Sequence, residues 1–205
     1  MGFDEKFFFL YLHGFKSGPE STKAQFIKDF SIKKGHEFLC PPLDISPERA
    51  ILQIQKSVNY MLSKQNKPVL LGSSLGGFYA TWLMQTFPDA SKILTILLNP
   101  ATNPSRDLVQ YIQYPEDWHK KTLKMEEFTE KDIEFLNKME TEIGSEIKYP
   151  KNFFLVSAKG DELLDWKEMA AFHKDCEQYL IEGSDHSLTN FPVHWPKIIN
   201  FVSSS

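Results

Sequence analysis

The chain has 205 residues, of which 41% are hydrophobic and 24% are charged, a composition typical of one globular domain. Its 23 lysines and arginines against 27 aspartates and glutamates give a net charge of −4, which provides no basic excess for binding nucleic acid. Two cysteines, Cys40 and Cys176, are too few for a disulfide-rich secreted scaffold and suit a reducing compartment.

The first residues do not resemble a targeting segment. Residues 1–5 are acidic where a secretory signal needs positive charge, and the apolar run that follows, Phe7–Leu12, has only six residues. Such a run is too short for the core of a signal peptide or for a membrane span. We therefore expect a cytoplasmic protein that does not span a membrane.

Predicted strands and helices alternate along the first half of the chain. Apolar runs predict buried strands at Phe7–Leu12, Glu37–Cys40, Pro68–Gly72 and Ile93–Leu98. Apolar residues at helical spacing predict helices from Ser21 to Gly35, from Ser46 to Leu62 and over Leu75–Phe87. The serines are candidate N-caps, Gly35 is a candidate helix end, and proline follows Ser46 at the first helical position.

After Asn99 and Pro100 this alternation is interrupted. Residues 103–149 contain no strand pattern and are rich in charge, with one clear apolar stripe of Ile133, Leu136, Met139 and Ile143. We interpret this segment as a small helical cap inserted into a single domain. The alternation then resumes with a strand at Asn152–Ser157, a helix at Asp165–Cys176, a strand at Glu177–Ile181 and a helix near Pro196–Val202. Six strands separated by helices predict a mostly parallel sheet covered on both faces.

The strongest chemical signal lies between the third strand and the helix after it. Residues 72–76 read GSSLG, which is a G-x-S-x-G motif in the required strand–turn–helix context. Centred on Ser74, the flanking residues are Gly72 and Gly76, whereas centred on Ser73 they would be leucines. We therefore predict Ser74 as a nucleophile; the alternative is a glycine-rich turn in which a serine caps the helix.

A serine nucleophile needs a base, and the base needs an acid that orients it. In folds with this motif the acid and the histidine follow the serine on loops after later strands. The strand at 153–157 leads to Asp161, and the last strand leads to His186, so we predict these two as acid and base. Asp165 is the rival acid but is better placed to cap the next helix. Of the other histidines, His36, His119 and His173 lie away from the predicted loops, and His194 lies near His186 but in the approach to the last helix.

Acyl transfer also needs donors for the developing oxyanion. We predict the backbone N–H of Leu75, the residue after the nucleophile, and that of Phe15 in the loop after the first strand. Gly14 permits a close turn there, and we expect His13 to be a structural hydrogen-bonding residue.

Other chemistry is not indicated. The sequence has no phosphate-binding glycine loop with lysine and no cysteine–histidine cluster, so we expect no cofactor and no metal. The tryptophan and tyrosine residues of 111–118, with Leu123 and Phe128, form either an acyl pocket or the core of the cap.

The chain resembles the bacterial YqiA-type esterases, a small family of α/β-hydrolases. The resemblance rests on YLHGF at 11–15 with Pro19, Ser21, Lys23 and Ala24, on GSSLGGFYATW at 72–82, on LNPA at 98–101 before Pro104, on GDELLD at 160–165, and on His186.

The resemblance implies an α/β-hydrolase fold and a cofactor-free hydrolase of carboxylic esters, acyl thioesters included. The family's triad falls on Ser74, Asp161 and His186. Gly18 and the Ser187–Leu188 pair depart from the family pattern beside the site, which leaves the acyl preference open. The alternative is a non-catalytic binding protein with the same fold, and the oligomeric state stays open.

Overall fold

The computed structural model describes residues 5–112 and 128–205. Six strands form one sheet in the order β2-β1-β3-β4-β5-β6, and every neighbouring pair is parallel. The strands are β1 Phe7–Leu12, β2 Glu37–Leu39, β3 Lys67–Ser73, β4 Leu94–Leu98, β5 Phe153–Ala158 and β6 Glu177–Ile181. The predicted parallel sheet is confirmed.

Helices fill the intervals between the strands. They are α1 Thr22–Lys34, α2 Pro47–Leu62, α3 Leu75–Thr86, α4 Pro104–Leu108, α5 Glu130–Ile143, α6 Trp166–Phe172 and α7 Phe191–Ser204. Gly35 ends α1 with φ 69°, as expected of a left-handed helix cap. Ser21 and Ser46 occupy the N-cap positions of α1 and α2, but neither side chain makes a capping hydrogen bond.

Two hydrophobic cores lie on opposite faces of the sheet. Successive side chains of a strand point to opposite faces, so a strand covered on both sides is apolar throughout. In β1, Phe8, Leu10 and Leu12 pack in a core with side chains of α2, α3 and α5. Phe7, Phe9 and Tyr11 pack in a second core with side chains of α1 and α7. Burial by helices on both faces of the sheet therefore explains the continuous apolar run of β1, as the sequence predicted.

The order of the strands reverses at β1. The chain moves from β1 to β2 on one side and then crosses to β3 on the other side. The chain leaves β1 for α1 on one face of the sheet and leaves β3 for α3 on the other face. The carboxyl ends of strands at such a change of side are where open α/β sheets bind ligands. Ser74 directly follows β3 at this position.

Two predicted helix boundaries are wrong. The last helix begins at Phe191, with Pro192 in its first turn, and Pro196 lies inside it. Pro196 removes one backbone N–H from the helix. The helix continues through it because the residues around it are held by packing, with Phe191 and Trp195 both buried. In the other case, α6 ends at Phe172, and the residues before β6 form a turn in which the Cys176 N–H donates to the His173 carbonyl.

The described part of residues 103–149 contains the helices α4 and α5 and no strand, as predicted. In α5, Leu136 and Met139 are buried in the core shared with α2 and α3, so this helix belongs to the layer that covers the sheet. A separate cap function stays a prediction, and most of the aromatic residues predicted for it lie in 113–127, outside the described residues. Among the residues described, each helix is too short or too polar to cross a bilayer.

Candidate active site

Ser74 sits on a sharp turn between β3 and α3. Its backbone has φ 55° and ψ −121°, a conformation that costs a residue with a side chain on the order of 1–3 kcal/mol. The surrounding structure holds it there, since its N–H donates to the Leu98 carbonyl at 3.1 Å and its carbonyl accepts the Ala101 N–H at 3.0 Å. Strain maintained in this way is typical of functional positions.

The two glycines of the motif are required by contacts with backbone. A Cβ at Gly76 would lie 2.1 Å from the Leu12 carbonyl oxygen, and one at Gly72 would lie 2.4 Å from the Gly76 oxygen. No side chain fits at those distances. The turn is therefore possible only with Ser74 at its centre, which agrees with the register predicted from the sequence.

Hydrogen bonds connect the Ser74 hydroxyl to His186 and His186 to Asp161. The Nε2 atom of His186 lies 3.1 Å from the Ser74 hydroxyl, and its Nδ1 atom lies 2.8 and 3.0 Å from the two oxygens of Asp161. The Asp161 side chain is fully buried and also accepts the N–H groups of Leu163 and Leu164, each at 2.9 Å. A carboxylate held in this way places the proton of a neutral imidazole on Nδ1 and leaves Nε2 free to accept the hydroxyl proton.

The rival acid has another role. Asp165 is the N-cap of α6, and its side chain accepts the Lys167 N–H at 2.8 Å. The capping role predicted for Asp165 is confirmed.

The predicted oxyanion donors border one cavity. Phe15 and Leu75 both line it, and within residues 5–112 and 128–205 neither backbone N–H donates to a backbone acceptor. A Cβ on Gly14 would lie 3.1 Å from the Ser74 Cβ, so the loop after β1 passes directly beside the serine. An N–H that is to stabilise an oxyanion must be free of other acceptors, and within the described residues these two satisfy that condition for backbone acceptors.

A protein-family model, the uncharacterised protein family UPF0227, matches residues 8–203. The chain belongs to this family. The match confirms the resemblance to YqiA-type proteins that was found from the sequence.

Solved structures with the fold of this UPF0227 protein are α/β-hydrolases. Est1E from Butyrivibrio proteoclasticus, solved with ferulic acid bound, has a TM-score of 0.72 at 17% identity, covering 98% of this chain and 88% of Est1E. A metagenome-derived structure from a study of the lipolytic enzymes LipS and LipT has a TM-score of 0.73 at 15% identity, covering 98% and 95%. The Pyrococcus furiosus esterase Pf2001 has a TM-score of 0.68 at 16% identity, covering 98% and 82%. The predicted α/β-hydrolase fold is confirmed.

The UPF0227 protein holds the His186 loop at three successive points that sequence reasoning missed. The Asn99 amide donates to the carbonyls of Asp185 and His186 at 3.1 and 3.0 Å. A Glu162 carboxylate oxygen accepts the His186 N–H at 2.9 Å, and the Lys23 ammonium donates to the carbonyl of Ser187 at 2.5 Å. Asn99 and Glu162 follow buried strands at the carboxyl edge, and Lys23, Asn99 and Glu162 all belong to the segments that carry the family resemblance. Neither signal indicates which backbone groups these side chains bind.

His13 in this UPF0227 protein is structural, as predicted. Its Nδ1 atom lies 3.0 Å from the Gly14 carbonyl and its Nε2 atom accepts the Leu43 N–H at 3.0 Å. These partners require the neutral tautomer with the proton on Nδ1, and burial lowers the pKa of His13, which favours the same form. His13 thus joins the loop of the oxyanion donors to the loop after β2.

Proposed function

We propose that this protein is a serine hydrolase that cleaves carboxylic esters, acyl thioesters included, with Ser74 as nucleophile, His186 as base and Asp161 as the orienting acid. The observation that carries the proposal is the hydrogen-bonded line from the Ser74 hydroxyl through His186 to the buried Asp161 carboxylate. A serine hydroxyl is a weak nucleophile near neutral pH, and this arrangement activates it.

In the first half of the reaction the Ser74 oxygen attacks the carbonyl carbon of the ester while its proton moves to Nε2 of His186. The carbonyl π electrons pass to the oxygen, which becomes an oxyanion that accepts hydrogen bonds from Phe15 and Leu75. The oxyanion then re-forms the carbonyl and the bond to the alcohol breaks. His186 returns its proton to the departing oxygen, which leaves an acyl group on Ser74.

In the second half a water molecule takes the place of the alcohol. His186 accepts a proton from this water as its oxygen attacks the acyl carbon, and the bond to Ser74 then breaks with the same proton returning to the serine oxygen. Asp161 keeps the imidazole in the required tautomer throughout. The products are one carboxylic acid and one alcohol or thiol, and Ser74 is regenerated.

Labelling with a fluorophosphonate probe tests the nucleophile directly. Wild type is expected to form a covalent adduct, and Ser74→Ala is expected to form none. Ser73→Ala is the matched control, because Ser73 is the adjacent serine but belongs to β3, and it is the Ser74 hydroxyl that forms the hydrogen bond to His186. A wild type that does not react would favour the alternative, a non-catalytic binding protein with this fold.

Hydrolysis of p-nitrophenyl esters and acyl-CoA thioesters of increasing chain length tests the substrate class. Wild type should hydrolyse at least one series. Removing a triad member typically lowers kcat by about 10⁴-fold or more, so Asp161→Asn should reduce hydrolysis by that order.

A further inference from the structure

Phe15, one of the two predicted oxyanion donors, is a central residue of a tight turn. The Ser17 N–H donates to the Gly14 carbonyl at 3.2 Å, with Phe15 and Lys16 between them. The same carbonyl lies 3.0 Å from Nδ1 of His13. The Gly14 C=O and the Phe15 N–H belong to one planar peptide unit and point in opposite directions. The two contacts of the carbonyl therefore set the direction of the N–H.

Lys16, the other central residue, has a strained backbone. Its φ is 53°, in the left-handed region that glycine or asparagine normally occupies at such a turn position. A lysine keeps this conformation only where other contacts hold it. The bonds to the Gly14 carbonyl act on the peptide unit before Phe15, so the conformation of Lys16 needs contacts of its own.

Aromatic rings of the 103–149 segment contact this turn. The Phe15 ring lies against the Tyr111 ring, with centroids 5.4 Å apart, and against the Phe128 ring, edge to face, at 5.1 Å. The Lys16 ammonium lies 4.9 Å from the centroid of the same Tyr111 ring and 5.4 Å from that of Phe15. At these distances a cation is attracted to the face of an aromatic ring. One tyrosine thus contacts both central residues of the turn.

The two rings of the segment differ in what else they contribute. Phe128 is 1% exposed and belongs to the core that covers one face of the sheet, so the fold itself needs it. Tyr111 is 39% exposed and contributes much less to that core. Its contacts with Phe15 and Lys16 therefore give Tyr111 a role that general packing does not require.

We propose that Tyr111 is a positioning residue for the oxyanion site. It holds the Phe15 ring directly and, through the Lys16 ammonium, the strained residue that follows, so that the Phe15 N–H keeps its direction. The 103–149 segment then serves catalysis by holding this turn. The role rests on the proposed esterase function, in which the Phe15 N–H stabilises charge on the carbonyl oxygen. Tyr111 does not itself touch the reacting atoms.

The kinetics of Tyr111→Ala on p-nitrophenyl butyrate test this role. Loss of one oxyanion donor typically lowers kcat by about 10²- to 10³-fold. A donor that is present but less well oriented loses part of this, so we expect a fall in kcat of about five- to thirtyfold. KM should stay within about twofold, because the oxyanion forms only in the transition state. Tyr111→Phe keeps the ring and should retain at least about half of the wild-type kcat.

A trifluoromethyl ketone provides a readout that a general loss of stability does not move. The Ser74 oxygen bonds to its carbonyl carbon, the carbonyl π electrons pass to the oxygen, and the serine proton moves to His186. The resulting oxyanion occupies the oxyanion site, so in Tyr111→Ala the Ki of the ketone should rise by about the factor by which kcat falls. The corresponding secondary alcohol cannot form an oxyanion, and its Ki should be the same in both proteins.

Tyr60→Ala is the matched control. Tyr60 is 50% exposed on α2, and the Lys64 ammonium lies 4.4 Å from the centroid of its ring, so the change removes a similar tyrosine and a similar cation contact. Its ring contacts Phe8 at the far end of β1 from the turn. Tyr60→Ala should leave kcat and the Ki of the ketone as in wild type.

Two further variants examine how Tyr111 acts. Combining Phe15→Ala with Tyr111→Ala should lower kcat by less than the product of the two single effects, because both changes remove the same ring contact. Lys16→Met removes the cation from the Tyr111 ring and should lower kcat by about two- to fivefold. Thermal unfolding establishes that each variant is folded, and Lys16→Met, a change at an exposed residue, provides the test if Tyr111→Ala does not fold.

The outcomes separate the two proposals. If Tyr111→Ala alters kcat and the Ki of the ketone by less than about twofold, or if Tyr60→Ala lowers kcat equally, the positioning role is overturned and the esterase proposal stands. A higher KM with unaltered kcat would place Tyr111 in the acyl pocket and also overturn the role. If wild type neither hydrolyses an ester nor reacts with fluorophosphonate, both proposals are overturned.

Discussion

Asn99 connects the loop of His186 to the end of the neighbouring strand β5. Its side-chain amide donates to the carbonyls of Asp185 and His186, while its side-chain oxygen accepts the Ala158 N–H at 2.8 Å. Asn99 is fully buried and has φ 43°, a left-handed conformation that asparagine tolerates better than most residues. One side chain thus sets the position of His186 relative to the strand that leads to Asp161.

Replacing Asn99 should therefore affect both stability and catalysis. Asn99→Gly keeps a backbone that tolerates positive φ and loses three hydrogen bonds, which at about 1 kcal/mol each gives a loss of roughly 3 kcal/mol in the free energy of unfolding. We also expect kcat for ester hydrolysis to fall by at least tenfold with little change in KM, because His186 is no longer held at Ser74. Urea unfolding and steady-state kinetics measure the two effects.

Gln85 provides the matched control for Asn99. Its buried amide also makes three hydrogen bonds, donating to the carbonyls of Ile143 and Glu146 and accepting the Lys148 N–H, but it joins α3 to the end of α5. Gln85→Ala should cost a similar free energy of unfolding and leave kcat near that of wild type. Equal losses of kcat in the two variants would contradict a positioning role for Asn99.

The Leu12 backbone lies so close to Gly76 that adding one methyl group at Gly76 should strongly destabilise the fold. Gly76→Ala would place a Cβ 2.1 Å from the Leu12 carbonyl oxygen, which is backbone and cannot turn away. We expect a loss of more than about 3 kcal/mol in the free energy of unfolding, together with loss of the fluorophosphonate adduct, since β1 and the Ser74 turn must separate. Gly18→Ala is the control, because nothing lies within 4 Å of a Cβ at that position. It should change stability by less than about 0.5 kcal/mol.

The backbone conformation of Ser74 predicts that a residue with a side chain at this position lowers the stability of the folded chain. Its φ of 55° favours glycine, so Ser74→Gly relieves strain that Ser74→Ala retains. Both variants lose the hydroxyl, and the greater freedom of glycine in the unfolded chain offsets part of the relief. We expect Ser74→Gly to be more stable than Ser74→Ala by about 1 kcal/mol in urea unfolding. If Ser74→Ala is equally stable, the turn is not strained.

The sheet and the positions of the three triad candidates could be predicted from sequence because each depends on local patterns. A continuous apolar run specifies a strand covered on both faces, and a polar residue just after such a strand lies at the carboxyl edge. The role of Asn99 could not be predicted in this way. Asn99 binds a loop 86 and 87 residues away along the chain, so no local pattern reveals its hydrogen bonds.

Burial of His173 predicts that stability falls in weak acid. Its side chain is 1% exposed, and burial lowers its pKa from 6.5 to about 4. Between these values the unfolded chain binds a proton that the folded chain does not, so the contribution is complete above about pH 6.5 and is lost as the pH falls towards 4. The full difference corresponds to roughly 3 kcal/mol.

Burial also lowers the pKa of His13, His36 and His194, which adds to the loss in the same direction. The variant His173→Asn isolates one contribution, since its amide can keep the bond to the Met169 carbonyl without titrating. Urea unfolding from pH 7 to 4 should show a shallower decline for His173→Asn than for wild type. Parallel declines would mean that His173 takes up its proton equally well in the folded and unfolded chains. The loss of stability in acid would then come from the other buried histidines and from carboxylates such as Asp44, whose pKa is lowered by Arg49.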